Sequence, residues 1–340
     1  MKGFGLVRSI LFRFDAETAH HIAFSALNLL ERTGLLKLLL KSVKGEPVTV
    51  AGITFPNAVG LAAGLDKNGD YINALARIGF GFIEIGTVTP RAQPGNPKPR
   101  LFRLEQHEAI INRMGFNNQG VDYLLENVKR TRFDGVLGIN IGKNFDTPVE
   151  NAVDDYLICL DKVYAHADYI TVNISSPNTP GLRNLQYGDA LKELLQALKD
   201  RQLELSKAST YKPLFVKIAP DMDADEIATV AKTLLTCAID GVIATNTTLE
   251  REAVRDSRYA GEAGGLSGKP MADISTQTVK LLAEKLQGRI PIIGVGGIHN
   301  SKIAVEKLEA GATLLQIYTG FIYQGPRLIQ QCIQAVHRTQ

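Results

Sequence analysis

Hydrophobic and polar positions follow two different rhythms along this chain. Through residues 1–40 apolar side chains recur at helical spacing, as Leu6, Val7, Ile10, Leu11 and Phe14 and again as Ile22, Ala23, Ala26, Leu27 and Leu30. This spacing predicts two short amphipathic helices parted near Asp15, whose carboxylate is placed to cap the second. From Val48 the rhythm changes. A small hairpin is expected over residues 48–50 and 53–55, split by Ala51-Gly52. Eight short apolar or β-branched runs follow, at residues 58–64, 81–88, 136–142, 169–175, 214–220, 241–247, 291–297 and 314–320. Each ends in, or runs directly into, Gly, Asn, Thr, Ser or Pro. Helix-like segments lie between them at residues 71–78, 121–131, 152–165, 190–205, 224–237, 274–286 and 302–310, and a last one spans 326–337. Continuous apolar strands alternating with helices predict an α/β chain whose parallel sheet closes into a (β/α)8 TIM barrel. The expected division is an N-terminal amphipathic helical extension, residues 1–45, and a barrel, residues 46–340.

Two strand-to-helix connections are too long for simple turns, residues 90–120 and 249–273. Barrels place lids and binding loops in such connections. A chain of 340 residues, 45% apolar, has ample core for a barrel with an appendage. Cys159, Cys237 and Cys332 are far apart, and His20, His21, His107, His166, His299 and His337 form no ligand pattern. A metal site and a disulfide framework are therefore both unexpected, and a reducing compartment follows. Net charge is +3, and it resides in residues 1–47, which carry seven basic residues against four acidic ones. The balanced remainder offers nothing for nucleic acid. No segment reaches the ~20 apolar residues that span a bilayer, whereas a basic amphipathic pair can lie on one or simply dock on the protein body.

In a TIM barrel the active site is assembled at the C-terminal strand ends. Those ends carry Ala63-Gly64-Leu65-Asp66-Lys67, Thr87, Asn140, Asn173, Lys217, Thr245-Asn246-Thr247, Gly296-Gly297 and Tyr318-Thr319. The fourth opens into Asn173-Ile-Ser-Ser-Pro-Asn-Thr-Pro-Gly181, a polar loop stiffened by Pro177 and Pro180. An ordinary turn and a substrate loop both fit it. Paired carboxylates and a His-based triad are absent, which disfavours hydrolysis. Gly268, Gly296-Gly297 and Tyr318-Thr319 are candidate phosphate contacts, since barrels bind phosphate after strands seven and eight. Lys217 lies inside an apolar run, where a cation is costly unless it faces an anion such as a reduced flavin ring. A Schiff-base lysine and a structural ion pair are the alternatives.

Five motifs carry a family resemblance: Gly60-Leu-Ala-Ala-Gly-Leu-Asp-Lys67, Ile85-Gly-Thr-Val-Thr-Pro90, Asn112-Arg-Met-Gly-Phe-Asn-Asn118, the 173–181 loop and Ile293-Gly-Val-Gly-Gly-Ile298. The chain resembles, over essentially its full length, the class 2 dihydroorotate dehydrogenases, the membrane-associated, quinone-reducing branch. The resemblance implies an FMN-dependent enzyme of pyrimidine synthesis that oxidises (S)-dihydroorotate to orotate. It places the flavin contacts at Ala63, Gly64, Leu65, Asp66, Lys67, Thr87, Asn140, Asn173, Lys217, Thr245, Gly268, Gly297, Tyr318 and Thr319. Substrate contacts fall at Lys67, Asn112, Arg113, Met114, Gly115, Phe116, Asn173, Asn178, Asn246 and Thr247. The base falls at Ser176, where class 1 enzymes carry cysteine, with Thr179 and Phe116 beside its proton path. Quinone contacts fall at His20, Arg103 and Tyr318. Asparagines suit the imide edges of a pyrimidine, and Lys67 suits its carboxylate. Two competitors are a related flavin barrel with another acceptor, NAD or fumarate, and a non-enzymatic barrel attached to membranes. The N-terminus lacks the profile of a transit peptide, so the expected location is peripheral, on the cytoplasmic side of the cell inner membrane.

Overall fold

The computed structural model describes residues 3–40 and 45–337. Lys2, Lys41 and Lys44, part of the N-terminal basic excess, lie outside the described residues. Among those described, eight parallel strands close into a barrel: Val59–Leu61, Phe82–Val88, Val136–Ile141, Tyr169–Asn173, Leu214–Ile218, Gly241–Ala244, Ile292–Val295 and Leu314–Ile317. They neighbour one another in chain order, and strand eight pairs with strand one through Leu315 and Val59. Every expected run contains its strand, because strands buried on both faces read as unbroken apolar runs. The helices fall between them as expected, from Ile72–Ala76 to Pro326–His337. The fold is thus a (β/α)8 TIM barrel. One local reason is visible at Ala224–Thr236, where Asp223 and Glu226 form a reciprocal capping box.

The lower end of the barrel is plugged by rings. Phe82, Tyr169 and Phe215 are fully buried, and a Cβ on Gly60, Gly138 or Gly241 would lie 2.1–2.4 Å from one of them. Small residues on strands one, three and six therefore make the room that rings on strands two, four and five fill. The hairpin Val48–Val50 and Ile53–Phe55 closes that end by setting Phe55 against Phe82, ring centroids 5.0 Å apart.

Two features depart from expectation. The long connections do not remain loops: Leu101–Leu104, Ala109–Asn112 and Gly265–Gly268 form an antiparallel three-stranded sheet over the upper rim. Beyond strand eight, the run expected to continue to residue 320 turns at Tyr318 into a short helix, Thr319–Gln324.

At the N-terminus lie three helices, α1 (Phe4–Leu11), α2 (Ala16–Arg32) and α3 (Leu36–Leu39). Asp15 caps α2 as expected, accepting from the Glu17 and Thr18 amides. These helices are fixed to the barrel by charge. Glu17 pairs with Arg100 through two hydrogen bonds of 2.7 and 3.1 Å, and Arg100 also donates to the Pro94 and Asn96 carbonyls. Burial pushes the Glu17 carboxyl up, but Arg100 and Lys98 outweigh it and hold it below the ordinary carboxylate value. Arg103 donates to the Phe12 and Phe14 carbonyls and lies over the Phe12 ring. Arg8 donates to the Tyr323 carbonyl at 2.9 Å.

Candidate active site

The strand ends open into a cavity beneath the three-stranded sheet. Its floor is a hydrogen-bonded polar layer. Glu84, fully buried on strand two, accepts from Asn140, Tyr169 and Gln316 at 2.7–3.0 Å. Above it Thr87 donates to Asn140 Oδ1, and Asn173 Nδ2 donates to Thr87 Oγ1 at 2.9 Å. Asn173 Oδ1 accepts from Ser175 Oγ at 3.2 Å, and Ser175 Oγ accepts from Asn246 Nδ2 at 3.0 Å. Each amide is locked by its neighbours, so its orientation is set before any ligand arrives. Arg183 clamps the loop after strand four by donating to the Ser175 and Thr247 carbonyls while pairing with Asp221.

Ser176 and Asn178 face the cavity from that loop. Ser176 Oγ accepts from the Asn178 amide at 3.2 Å, which leaves its proton free to point elsewhere. Asn112, Met114, Gly115 and Phe116 line the cavity from the connection after strand two, and Asn178 donates to the Asn112 carbonyl. Thr179 is buried next in sequence. Lys67 donates to the Gly64 carbonyl at 2.8 Å. Desolvation pushes its ammonium down to about 8, against the pull of Glu17.

Two observations test whether the lining fits the expected flavin, one at the ring and one at the phosphate. Lys217 is 5% exposed and lines the cavity, yet it has no hydrogen-bond partner among the described residues. Burial holds its ammonium below the ordinary value, with Glu84 working the other way. Gln316 Oε1, in the same wall, is buried without a partner. A cation and an acceptor left open in one pocket fit an electron-rich ring with N–H edges. At the far end Gly268, Gly296, Gly297, Tyr318 and Thr319 line a backbone cradle. Gly297 has φ +73°, and a Cβ there would lie 2.2 Å from Ala272 Cα, so only glycine brings this turn against the helix Ala272–Leu286. That is the geometry of a phosphate site.

Of the residues marked from the sequence, Ala63, Gly64, Lys67, Thr87, Asn173, Ser176, Lys217, Thr245, Asn246 and Thr247 all line the cavity. Four do not. Leu65 packs in the core, and Asp66 accepts from the Asp70 and Tyr71 amides, shaping its loop. Burial pushes the Asp66 carboxyl up to about 6. Asn140 lies behind Thr87, and Arg113 turns outward to Glu262 and the Phe102 ring. Sequence reading missed Ser175, Glu84, Gln316 and Ser267. For Glu84 and Gln316 the signal was available, since a carboxylate and an amide inside apolar strands need partners.

A second, apolar cavity lies between α1–α3 and the barrel, lined by residues such as Val7, Leu11, Ala23, Leu27 and Phe321. His20, Arg103 and Tyr318 all stand in its wall. Burial and Lys67 push the His20 ring down to about 3, so it is neutral at pH 7. Tyr318 lines both cavities. The apolar side chains left exposed include Leu6, Leu29 and Leu38, at 70%, 63% and 82%. No helix among the described residues is long and apolar enough to cross a membrane.

Comparison with known proteins agrees across the chain. The family model described as Dihydroorotate dehydrogenase matches residues 47–339. A relative from Azotobacter vinelandii named dihydroorotate dehydrogenase (quinone) is 61% identical over 332 residues, covering 97% of this chain and 96% of its own. One of the same name from Pseudomonas aeruginosa is 60% identical, with 97% of each chain covered. A crystal structure of DHODH from Eimeria tenella in complex with ferulenol superposes with a TM-score of 0.86 at 38% identity, covering 96% of this chain and 91% of that one.

Proposed function

The chain belongs to the dihydroorotate dehydrogenase family, and we propose that it oxidises (S)-dihydroorotate to orotate with FMN as cofactor and a membrane quinone as electron acceptor. When bound, FMN would accept the hydride equivalent from the substrate and hand its electrons on to the quinone. Ala63, Gly64, Lys67, Thr87, Asn173, Lys217 and Thr245 would hold the ring, and Gly268, Gly297, Tyr318 and Thr319 the phosphate end. The remaining chemistry belongs to side chains of the upper cavity. Ser176 takes the proton released from the substrate carbon and passes it outward, since a hydroxyl is too weak a base to keep it. Asn112, Asn173, Asn178 and Asn246 meet the imide edges with donors and acceptors, and Lys67 pairs with the carboxylate. A ligand lacking either feature leaves buried polar groups unpaired, which is how such a site discriminates.

The observation that carries the reading is the shared wall at Tyr318: a polar cavity with an open cation abuts one whose lining is almost wholly apolar, as an isoprenoid tail requires. His20 and Arg103 would meet the quinone head there. Residues 1–45 would serve as the access segment, with Leu6, Leu29 and Leu38 entering the cytoplasmic face of the inner membrane. The test has two parts. Purified protein should show a flavin band in the blue that dihydroorotate bleaches, and a long-chain quinone should restore it. A protein without that band, or one bleached but not restored by quinone, would sink the cofactor or the acceptor assignment respectively.

A further inference from the structure

Lys307, in the helix Ser301–Glu309, is fully buried behind strand seven. Its Nζ donates to Ser275 Oγ at 2.7 Å and to Thr276 Oγ1 at 3.1 Å, both near the start of the 15-residue helix Ala272–Leu286. Thr276 Oγ1 donates on to the Ala272 carbonyl, and Ser275 Oγ to the Val295 carbonyl. Three features disfavour a cation here: it is out of water, no carboxylate bonds to it, and it faces the positive end of a helix. Strands seven and eight carry no titratable side chain. Asp273 and Glu306 act on Lys307 only through space, and Glu306 is engaged by Lys302 at 3.4 Å. His299 in the preceding loop contacts the Gly297 carbonyl instead, and the adjacent C-terminal helix brings Arg327 and His337. Burial pushes the ammonium down to about 7.

What lies in front of it is the glycine cradle. Ser275 Oγ is 2.9 Å from where a Cβ on Gly296 would sit, and Ala272 N is 2.4 Å from where one on Gly297 would sit. The ammonium is one hydroxyl behind the turn on which the phosphate would rest. The cations lining the cavity itself are Lys67, in the loop after strand one, and Lys217 on strand five; strands seven and eight, which carry the cradle, supply none.

We propose that Lys307 is the buried counter-charge of the cofactor phosphate, a positioning residue acting through Ser275 and the Gly296–Gly297 turn. The assignment rests on the FMN reading above. A phosphate dianion stabilises the charged lysine, so binding takes up a proton wherever the free protein's lysine is neutral. A phosphate ester is already fully ionised above about pH 7, its second pKa being about 6. Any weakening from pH 7 to 9 that depends on Lys307 therefore reports the lysine.

The holoenzyme is diluted to equilibrium at pH 7, 8 and 9, and released flavin is read by fluorescence. In wild type the Kd should rise about tenfold or more across that range. In Lys307→Met, and in Lys307→Gln, it should be weaker at pH 7 by a similar factor and rise less steeply with pH than in wild type, Lys67, at about 8, being left as a titrating cation. The flavin-free Lys307→Met protein should melt no lower than flavin-free wild type below pH 7. There the folded-state pKa lies under the unfolded one, and the cost of the buried charge is fully present. A flat wild-type profile, or Lys307→Met holding FMN as tightly as wild type at pH 7, overturns the proposal. Should the variants not fold, the profile is read in Lys67→Met, where a flat line overturns the proposal. A wild-type protein without flavin overturns the reading of the cavity itself, and this assignment with it.

Discussion

Removing Glu17 should loosen α2 from the barrel and slow the quinone half of the reaction alone. In the native protein the Glu17 carboxylate bonds Arg100 through two hydrogen bonds, and the two side chains are 11% and 7% exposed. Deleting one partner of a buried pair costs about 3–5 kcal/mol, because the other charge is stranded. Here the lower end applies. Arg100 keeps the Pro94 and Asn96 carbonyls at 2.6 and 2.9 Å. Each ~1.4 kcal/mol is about tenfold, so Glu17→Ala should raise the undocked population of α1–α2 about 100-fold. Arg8 and Arg103 still tie α1 down, which keeps docking the majority state. Amide exchange in residues 16–32 should accelerate by that factor, and KM for a long-chain quinone should rise. Flavin reduction at saturating dihydroorotate should not change, since Glu17 lines neither the polar cavity nor its floor; its lost pull on Lys67 should show only in substrate affinity. Glu17→Gln, with one oxygen still able to accept, should fall between. Unchanged exchange in α2 with Glu17→Ala would refute the claim that this pair holds the helices.

Ser176→Ala should keep FMN and the fold while slowing flavin reduction by about 10²-fold or more, measured by stopped flow; near-normal reduction would remove Ser176 from the mechanism. Orotate binding should be level below pH 8 and weaken about fivefold from pH 8 to 9, because Lys67, at about 8, sheds the proton that pairs with the carboxylate. Titration calorimetry checks it, and a profile level to pH 9 would mean the carboxylate binds elsewhere. Replacing Leu6, Leu29 and Leu38 together by serine should cut partition onto anionic vesicles by about 1000-fold or more, each leucine being worth ~1.5 kcal/mol or more when buried. Equal sedimentation with vesicles would return those exposed leucines to ordinary surface.

The barrel was readable because its strands are buried on both faces, which leaves unbroken runs such as Phe82–Val88 and Leu214–Ile218 in the sequence. The strand ends were readable for a related reason. Polar side chains stand out against an apolar run, and Thr87, Asn173, Lys217 and Asn246 all do. The three-stranded sheet was hidden because its strands come from two connections more than 150 residues apart, and Gly265–Gly268 has almost no side-chain pattern to read. Leu65 and Asp66 sit in a resembling motif, yet the loop turns them away from the cavity into its own support. A motif marks a stretch of chain, not the direction of each side chain.

Glu84, Gln316 and Lys307 show the same limit from the other side. Each is a polar residue on an element whose surroundings are apolar, and each finds its partners on elements far off in sequence: Glu84 meets Gln316 across the closure of the barrel, and Lys307 meets Ser275 across two helices. In one dimension an apolar run shows that such a residue needs partners but not which ones, because helical or strand periodicity registers only its own element. Burial makes them informative. Taking an ionisable group out of water costs enough that it persists only against a specific field, so its neighbours state what that field is. For Glu84 the neighbours are donors, and the field is complete within the protein. For Lys307 they are two hydroxyls and a helix terminus, and the field is incomplete until an anion rests on the turn beyond.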